Sequence, residues 1–162
     1  MTHSHLNRVD LAPRPLRARG FTLIELMITV VIATILMSIA IPLYQHQVRE
    51  GRRTDARTAL ADLATREEQY YAINNAYTNT ATALGYASWP QTVGGGYYKL
   101  RAPSNINAAT ANAAATYTLT AVPVAGKGQD KDTDCAVFQV NQAGQQTSLN
   151  SASADSSSIC WN

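Results

Sequence analysis

Residues 21–44, FTLIELMITVVIATILMSIAIPLY, carry a single charge, Glu25. At about 1.5 Å per residue, a helix of this length reaches across the roughly 30 Å hydrocarbon core of a bilayer. The stretch therefore reads as a transmembrane half-helix. A carboxylate at mid-bilayer costs ~2.5–3.5 kcal/mol, and less near the interface, so Glu25 needs a positive partner. A helix N-terminus also favours negative charge there.

Outward on the N-terminal side, residues 1–20 are polar and contain Pro13 and Pro15. Arg8, Arg14, Arg17 and Arg19 against Asp10 give them a charge of +3, in a chain whose net charge is +2. This reads as an unfolded, positively charged cytoplasmic end. A secretory signal has its small-residue cleavage site after the apolar core, whereas here Gly20 comes before it. Cleavage at Gly20 would remove residues 1–20 as a leader and leave the membrane anchor on the mature chain. Beyond Gly20 the chain carries about −1, too little for a general nucleic-acid binder.

On the C-terminal side, Ala56, Ala59, Leu60, Leu63 and Tyr70 follow helical spacing, so an amphipathic helix is expected to continue to about Ile73. Pro42 and Gly51 are places for a bend or local unwinding. Asn74, Asn75 and residues 79–96, with Pro90 and Gly94 to Gly96, read as loop. Strands are expected over 97–102, over 116–122, and over 136–141 and 145–149 around a turn at Gly144. The Ala-rich residues 108–115 read as an insertion between strands. The class is α+β: a long N-terminal helix on a small antiparallel sheet, with residues 45–162 as one globular domain outside the membrane.

Cys135 and Cys160 are the only cysteines, both late in a chain with an export-like start, so a structural disulfide is the natural reading. A zinc site would need further ligands, and His3 and His5 lie in the leader, with only His46 beyond it.

Gly20-Phe21-Thr22-Leu23-Ile24-Glu25, the apolar run and Ala40-Ile41-Pro42-Leu43-Tyr44 together resemble the type IV pilin signature. The resemblance implies that a membrane aspartyl prepilin peptidase cuts between Gly20 and Phe21 and that the new Phe21 amine is methylated. Phe21, Glu25 and Pro42 then become assembly residues, with a neighbouring subunit's Phe21 amine as the partner of Glu25. Arg52-Arg53, Tyr70-Tyr71, Asn75-Ala76-Tyr77-Thr78, Leu84-Gly85-Tyr86, Tyr117 to Ala121, Asp134-Cys135, Asn141 to Gly144 and Cys160-Trp161 extend the resemblance to nearly the full length. Within the family they look like the PilE-type minor pilins. The Cys135–Cys160 segment resembles the disulfide-bounded C-terminal region of pilins.

The implied function is structural: a minor pilin taking part in initiation and assembly of a filament used in adhesion and twitching motility. The alternatives are a major pilin, a DNA-uptake pilin or a type II secretion pseudopilin. Implied partners are other major and minor pilins, the prepilin peptidase, the inner-membrane assembly platform and the lipid bilayer. The expected location is the bacterial inner membrane as a single-pass protein, with its C-terminal domain periplasmic, and then the pilus at the cell surface.

Other signals are weaker. Asp130, Asp132 and Asp134 alternate like the first acids of a calcium loop, but the glycine and closing glutamate are missing, so a solvated loop is the plainer reading. Arg49, Arg52, Arg53 and Arg57 could meet lipid or DNA phosphates. With Asp55, Glu67 and Glu68 on the same helix, they read more simply as a solvated face with salt bridges within or between subunits. Lys99, Arg101, Lys127 and Lys131 are few for a DNA-binding stripe. No nucleophile, base and orienting group form a recognisable set, so no enzyme activity, metal or cofactor is expected. Gly94 to Gly96 lack the lysine of a phosphate loop and read as a flexible loop. Tyr70, Tyr71, Tyr97 and Tyr98 read as packing aromatics between helix and sheet.

Overall fold

Helix α1 (Leu23–Asn74, 52 residues) starts at a local signal, because the Thr22 hydroxyl accepts the Glu25 N–H at 3.3 Å. Thr22 and Glu25 thus stand at the two positions of a capping box. The structure, a computed structural model, describes residues 20–162, so the leader expected over 1–20 lies, but for Gly20, outside the described residues. The chain divides into two compact units, one ending at Ile41 and one comprising Pro42–Asn162.

In the first unit, Leu23, Ile24, Leu26, Met27, Ile28, Val30, Val31, Ile32, Ile35, Leu36, Met37, Ile39 and Ile41 are all exposed. They occupy every side of the helix, which is the pattern of a membrane or bundle-core helix and not of a surface helix. The hydroxyls in this stretch are satisfied internally: Thr29 donates to the Leu26 carbonyl at 2.8 Å, Ser38 to Ile35 at 2.7 Å, and Thr34 to Val30. A hydrocarbon surrounding leaves no alternative partner for such groups.

The second unit is helix on sheet. Arg53, Ala56, Leu60, Leu63 and Glu67 recur at intervals of three and four and form the buried face of α1. Pro42 and Gly51, expected to bend or unwind the chain, both stand inside α1, which passes through them unbroken. Proline's fixed φ is itself helical, and the turns on either side retain their own hydrogen bonds.

The sheet has β1 (Gln91–Val93), β2 (Tyr98–Leu100), β3 (Ser104–Asn107), β4 (Thr116–Pro123), β5 (Val137–Asn141) and β6 (Gln146–Leu149). Its order is β1-β2-β4-β5-β6, with β3 pairing a different part of β4, and every pairing is antiparallel. β4 is the hub. Its register sets Leu100 opposite Ala121, Ala121 opposite Phe138 and Leu119 opposite Val140. Side chains of one parity along the strands thus share the face that packs on α1, and Tyr98, Leu100, Leu119, Ala121 and Phe138 are fully buried with Ala56, Leu60 and Leu63.

Two strands depart from the sequence reading. β1 lies inside the segment expected to be loop, and β3, Ser-Asn-Ile-Asn, has no apolar alternation. β3 is held by polar pairs: Asn105 donates to the Thr118 hydroxyl at 3.1 Å and Asn107 to that of Thr116 at 2.9 Å. The Ala-rich insertion lies between β3 and β4 and closes on itself through a Thr110–Ala113 bridge.

Candidate functional site

At the start of the first unit, Gly20 and Phe21 are exposed ahead of α1, Phe21 at 82%. Glu25 comes next, within the first helical turn. Among the described residues no cation stands within ion-pair distance of its carboxylate. An apolar helix exposed on all sides, bearing one carboxylate near its N-terminal end, offers a greasy surface and one charge that is costly to bury unless a cation meets it. Pro42, the third expected assembly residue, opens the second unit.

In the second unit the charged residues behave differently from the expected solvated face. The Arg53 guanidinium is buried and donates two hydrogen bonds to Asp132, at 2.8 and 2.9 Å. Asp134 is 3.9 Å away. The Asp132 hydrogen bond and charge raise the already high pKa of Arg53 further, against the opposing cost of burial. Asp132 is therefore no solvated loop residue; it is only 4% exposed. The Nε2 of buried Gln129 shares its two N–H groups among three acceptors, the Tyr98 hydroxyl at 2.8 Å and Asp132 and the Arg49 carbonyl, each at 3.2 Å. The turn around Gln129–Lys131 is thereby tied to α1 at Arg49 and Arg53. Sequence spacing could not reveal this set, since Arg53 and Asp132 are 79 residues apart.

The other helix charges also find partners off the helix. Arg52 lies 3.6 Å above the Tyr97 ring centroid, a cation–π contact. Arg57 donates to the Cys160 carbonyl at 2.8 Å and to that of Asn162. Glu68 accepts the hydroxyls of Tyr77 and Tyr117 at 3.0 and 3.2 Å. Asp62 and Arg66 form the expected kind of pair along one helix, at 2.8 Å, and His46 stands 3.9 Å from Glu50. The tyrosines serve packing as expected: Tyr98 is buried edge-on to Phe138, and Tyr71 stacks on Tyr77. The triple glycine is not a free loop. It forms a 3-10 turn, and a Cβ on Gly94 would come within 2.5 Å of the Asp55 Cβ. Glycine there permits close approach to the helix.

Cys135 and Cys160 form the disulfide, with both residues buried and Cα atoms 5.8 Å apart. Trp161 comes directly after it, its ring 5.7 Å from Phe138 and its indole N–H bonded to the Thr147 carbonyl at 2.9 Å. The C-terminal segment is so anchored to sheet and helix together. Among the described residues no group of three or more His, Cys, Asp or Glu side chains is placed to hold a metal ion.

The sequence matches two families in succession: "Prokaryotic N-terminal methylation motif" over residues 16–41 and "Type IV minor pilin ComP, DNA uptake sequence receptor" over residues 42–139. It is 39% identical over 71 residues to "Type IV major pilin protein PilA" of Myxococcus xanthus, covering 44% of this chain and 32% of that one. It is 32% identical over 95 residues to "Type IV major pilin protein PilE1" of Neisseria gonorrhoeae, covering 58% and 53%. "Fimbrial protein EcpC" of Eikenella corrodens is 33% identical over 113 residues, 70% of each chain. The chain thus spans less than two thirds of the length of the two major pilins.

Proposed function

The chain belongs to the type IV pilins, structural subunits and not enzymes, and on that premise we propose that it is a minor pilin that joins the initiation and assembly of the filament. In this reading prepilin peptidase cuts between Gly20 and Phe21, the Phe21 amine is methylated, and the chain waits in the inner membrane as a single-pass protein with residues 45–162 in the periplasm. The assembly platform then moves it into a pilus among major and other minor pilins, where the filament serves adhesion and twitching motility. The observation that carries the proposal is the apolar helix exposed all round with Glu25 as its one charge.

Glu25 pairs with the Phe21 amine of a neighbouring subunit and fixes the axial register of successive helices. Removing one partner of a buried pair leaves the other uncompensated, so the coupling is strong even where the net stability of the pair is small. Glu25→Ala should insert into the membrane at least as well as the wild type yet be depleted from sheared pili, with Glu25→Gln intermediate. Unchanged incorporation of Glu25→Ala would refute the registry role. Mass spectrometry of the mature protein should find methylated Phe21 as its first residue.

The minor assignment is supported by the family matched over 42–139, although the relatives PilA and PilE1 are major pilins. Subunit counting in purified filaments decides it: a shaft subunit would dominate the preparation. The same family match favours DNA uptake as a second reading. Against it, the groove that Lys99 and Arg101 line is shared with Asp130 and Asp132. Loss of transformation in a deletion strain that still makes normal pili would favour that second reading.

A further inference from the structure

The buried Arg53–Asp132–Gln129 set does more than close the core, because it decides what stands beside Arg49 and Arg52. Gln129 holds the Arg49 carbonyl and Arg53 holds Asp132, so the turn carrying Gly128 and Lys131 is pinned against that stretch of α1. The result is a surface groove lined by Tyr44, Val48, Arg49, Arg52, Gly128 and Lys131, with three cations and no carboxylate.

Three of the nearby acids already have partners. Asp132 is bonded to Arg53, Asp130 accepts the Gly126 N–H at 2.8 Å, and Glu50 stands 3.9 Å from His46. Among the described residues none of Arg49, Arg52 and Lys131 has a carboxylate within ion-pair distance. Arg52 is also held in place on the Tyr97 ring, which lowers the entropy lost when it binds an anion.

We propose that this groove binds the phosphate of an anionic phospholipid headgroup while the subunit resides in the membrane. The inference rests on the membrane-anchored reading of the apolar helix. What favours a lipid over another phosphate is placement in the sequence: Tyr44, an exposed aromatic, closes the apolar run 21–44, and the groove is built from it and the next two turns of α1. An aromatic followed by basic residues at the end of an apolar span is the arrangement that anchors at a headgroup layer.

The test uses the full chain in neutral detergent micelles, titrated with short-chain phosphatidylglycerol or phosphatidylcholine and read by amide NMR shifts around Gly128. Phosphatidylglycerol should bind more tightly, and each cation removed should weaken it about fivefold. Arg49→Gln/Arg52→Gln/Lys131→Gln should abolish the preference. Arg49→Gln/Lys131→Gln, which leaves the Arg52–Tyr97 stack intact, should weaken it about twenty-five-fold and guards against misfolding of the triple variant. Lys99→Gln/Arg101→Gln should leave it unchanged.

Equal binding of the two lipids, or equal binding by wild type and the double variant, overturns the proposal. So does duplex DNA that shifts the same amides under conditions where phosphatidylglycerol does not. Insertion of the protein into phosphatidylcholine bilayers is independent of the groove, so its failure would instead count against the membrane-anchored reading.

Discussion

Glu67 lies on the buried face of α1, fully enclosed, with one carboxylate oxygen accepting the Thr78 N–H at 3.1 Å and the other unpartnered among the described residues. The titratable groups around it are Glu68, Tyr77 and Tyr117, none of them a cation. Burial, with a smaller push from the Glu68 charge, lifts its carboxyl to about 7, against the Thr78 N–H, which favours the ionised form. In the unfolded chain the group would ionise at its ordinary value of 4.5. Between those two values the folded state holds a proton that the unfolded state has released. Stability therefore falls as pH rises from about 4.5 to about 7 and is level above that window. Glu67→Gln keeps an acceptor for Thr78 and removes the charge. It should flatten the pH profile and make the protein more stable than wild type by ~3 kcal/mol near pH 8. Denaturant unfolding of the full chain at about pH 5 and about pH 8 reads this out. An unaltered slope in the variant would mean that another group sets it.

Elements in this protein are joined by polar ties as much as by apolar contact, and the tie between α1 and the turn before β5 is the most exacting. Asp132→Ala strips the buried Arg53 guanidinium of both its hydrogen bonds and leaves only the half-exposed Asp134, 3.9 Å away, to answer its charge, and a loss of about 3 kcal/mol attends such a change. Asp132→Leu with Arg53→Met should recover much of that loss, because two apolar groups replace two charges. Thermal unfolding of the three proteins tests the order; equal loss in the single and double variants would mean that shape and not charge holds the turn.

This tie is invisible in the sequence for a physical reason. The alternation of Asp130, Asp132 and Asp134 and the run of arginines each describe one segment, whereas the pairing of Arg53 with Asp132 exists only after the sheet has brought residues 79 apart together. The legible parts rest on local periodicity or local chemistry: the buried stripe at Ala56, Leu60 and Leu63, β4 and β5 with their apolar alternation, and the late cysteines that do form the disulfide. β1 escapes a sequence reading because Gln91-Thr92-Val93 stands between Pro90 and Gly94, residue types that signal loop, and β3 because Asn105 and Asn107 take part through side-chain amides that do the same.

At the scale of the whole molecule, the division at Ile41 separates two kinds of stability. Among the described residues the first unit buries nothing of its own, whereas the core of the second draws on residues from Arg53 onward. A fragment spanning residues 45–162 retains the buried face of α1, all six strands and the disulfide, so it should fold without the membrane half. Circular dichroism should report mixed helix and strand, and the thiols should be unreactive before reduction. The disulfide encloses a segment with a sequence separation of 25, worth about 3.5 kcal/mol in the chain-entropy account. Cys160→Ser should lower the fragment's stability by about that amount, while membrane insertion of the full chain, which depends on residues 23–41, should be unaffected. A fragment that stays disordered under oxidising conditions would mean that the helix needs its apolar half in order to form. Isolated helices are marginal without tertiary packing, and among the described residues that packing lies on the C-terminal side of Pro42. Folding of the fragment with Cys160→Ser destabilised but insertion intact would place the disulfide in the service of the globular unit alone.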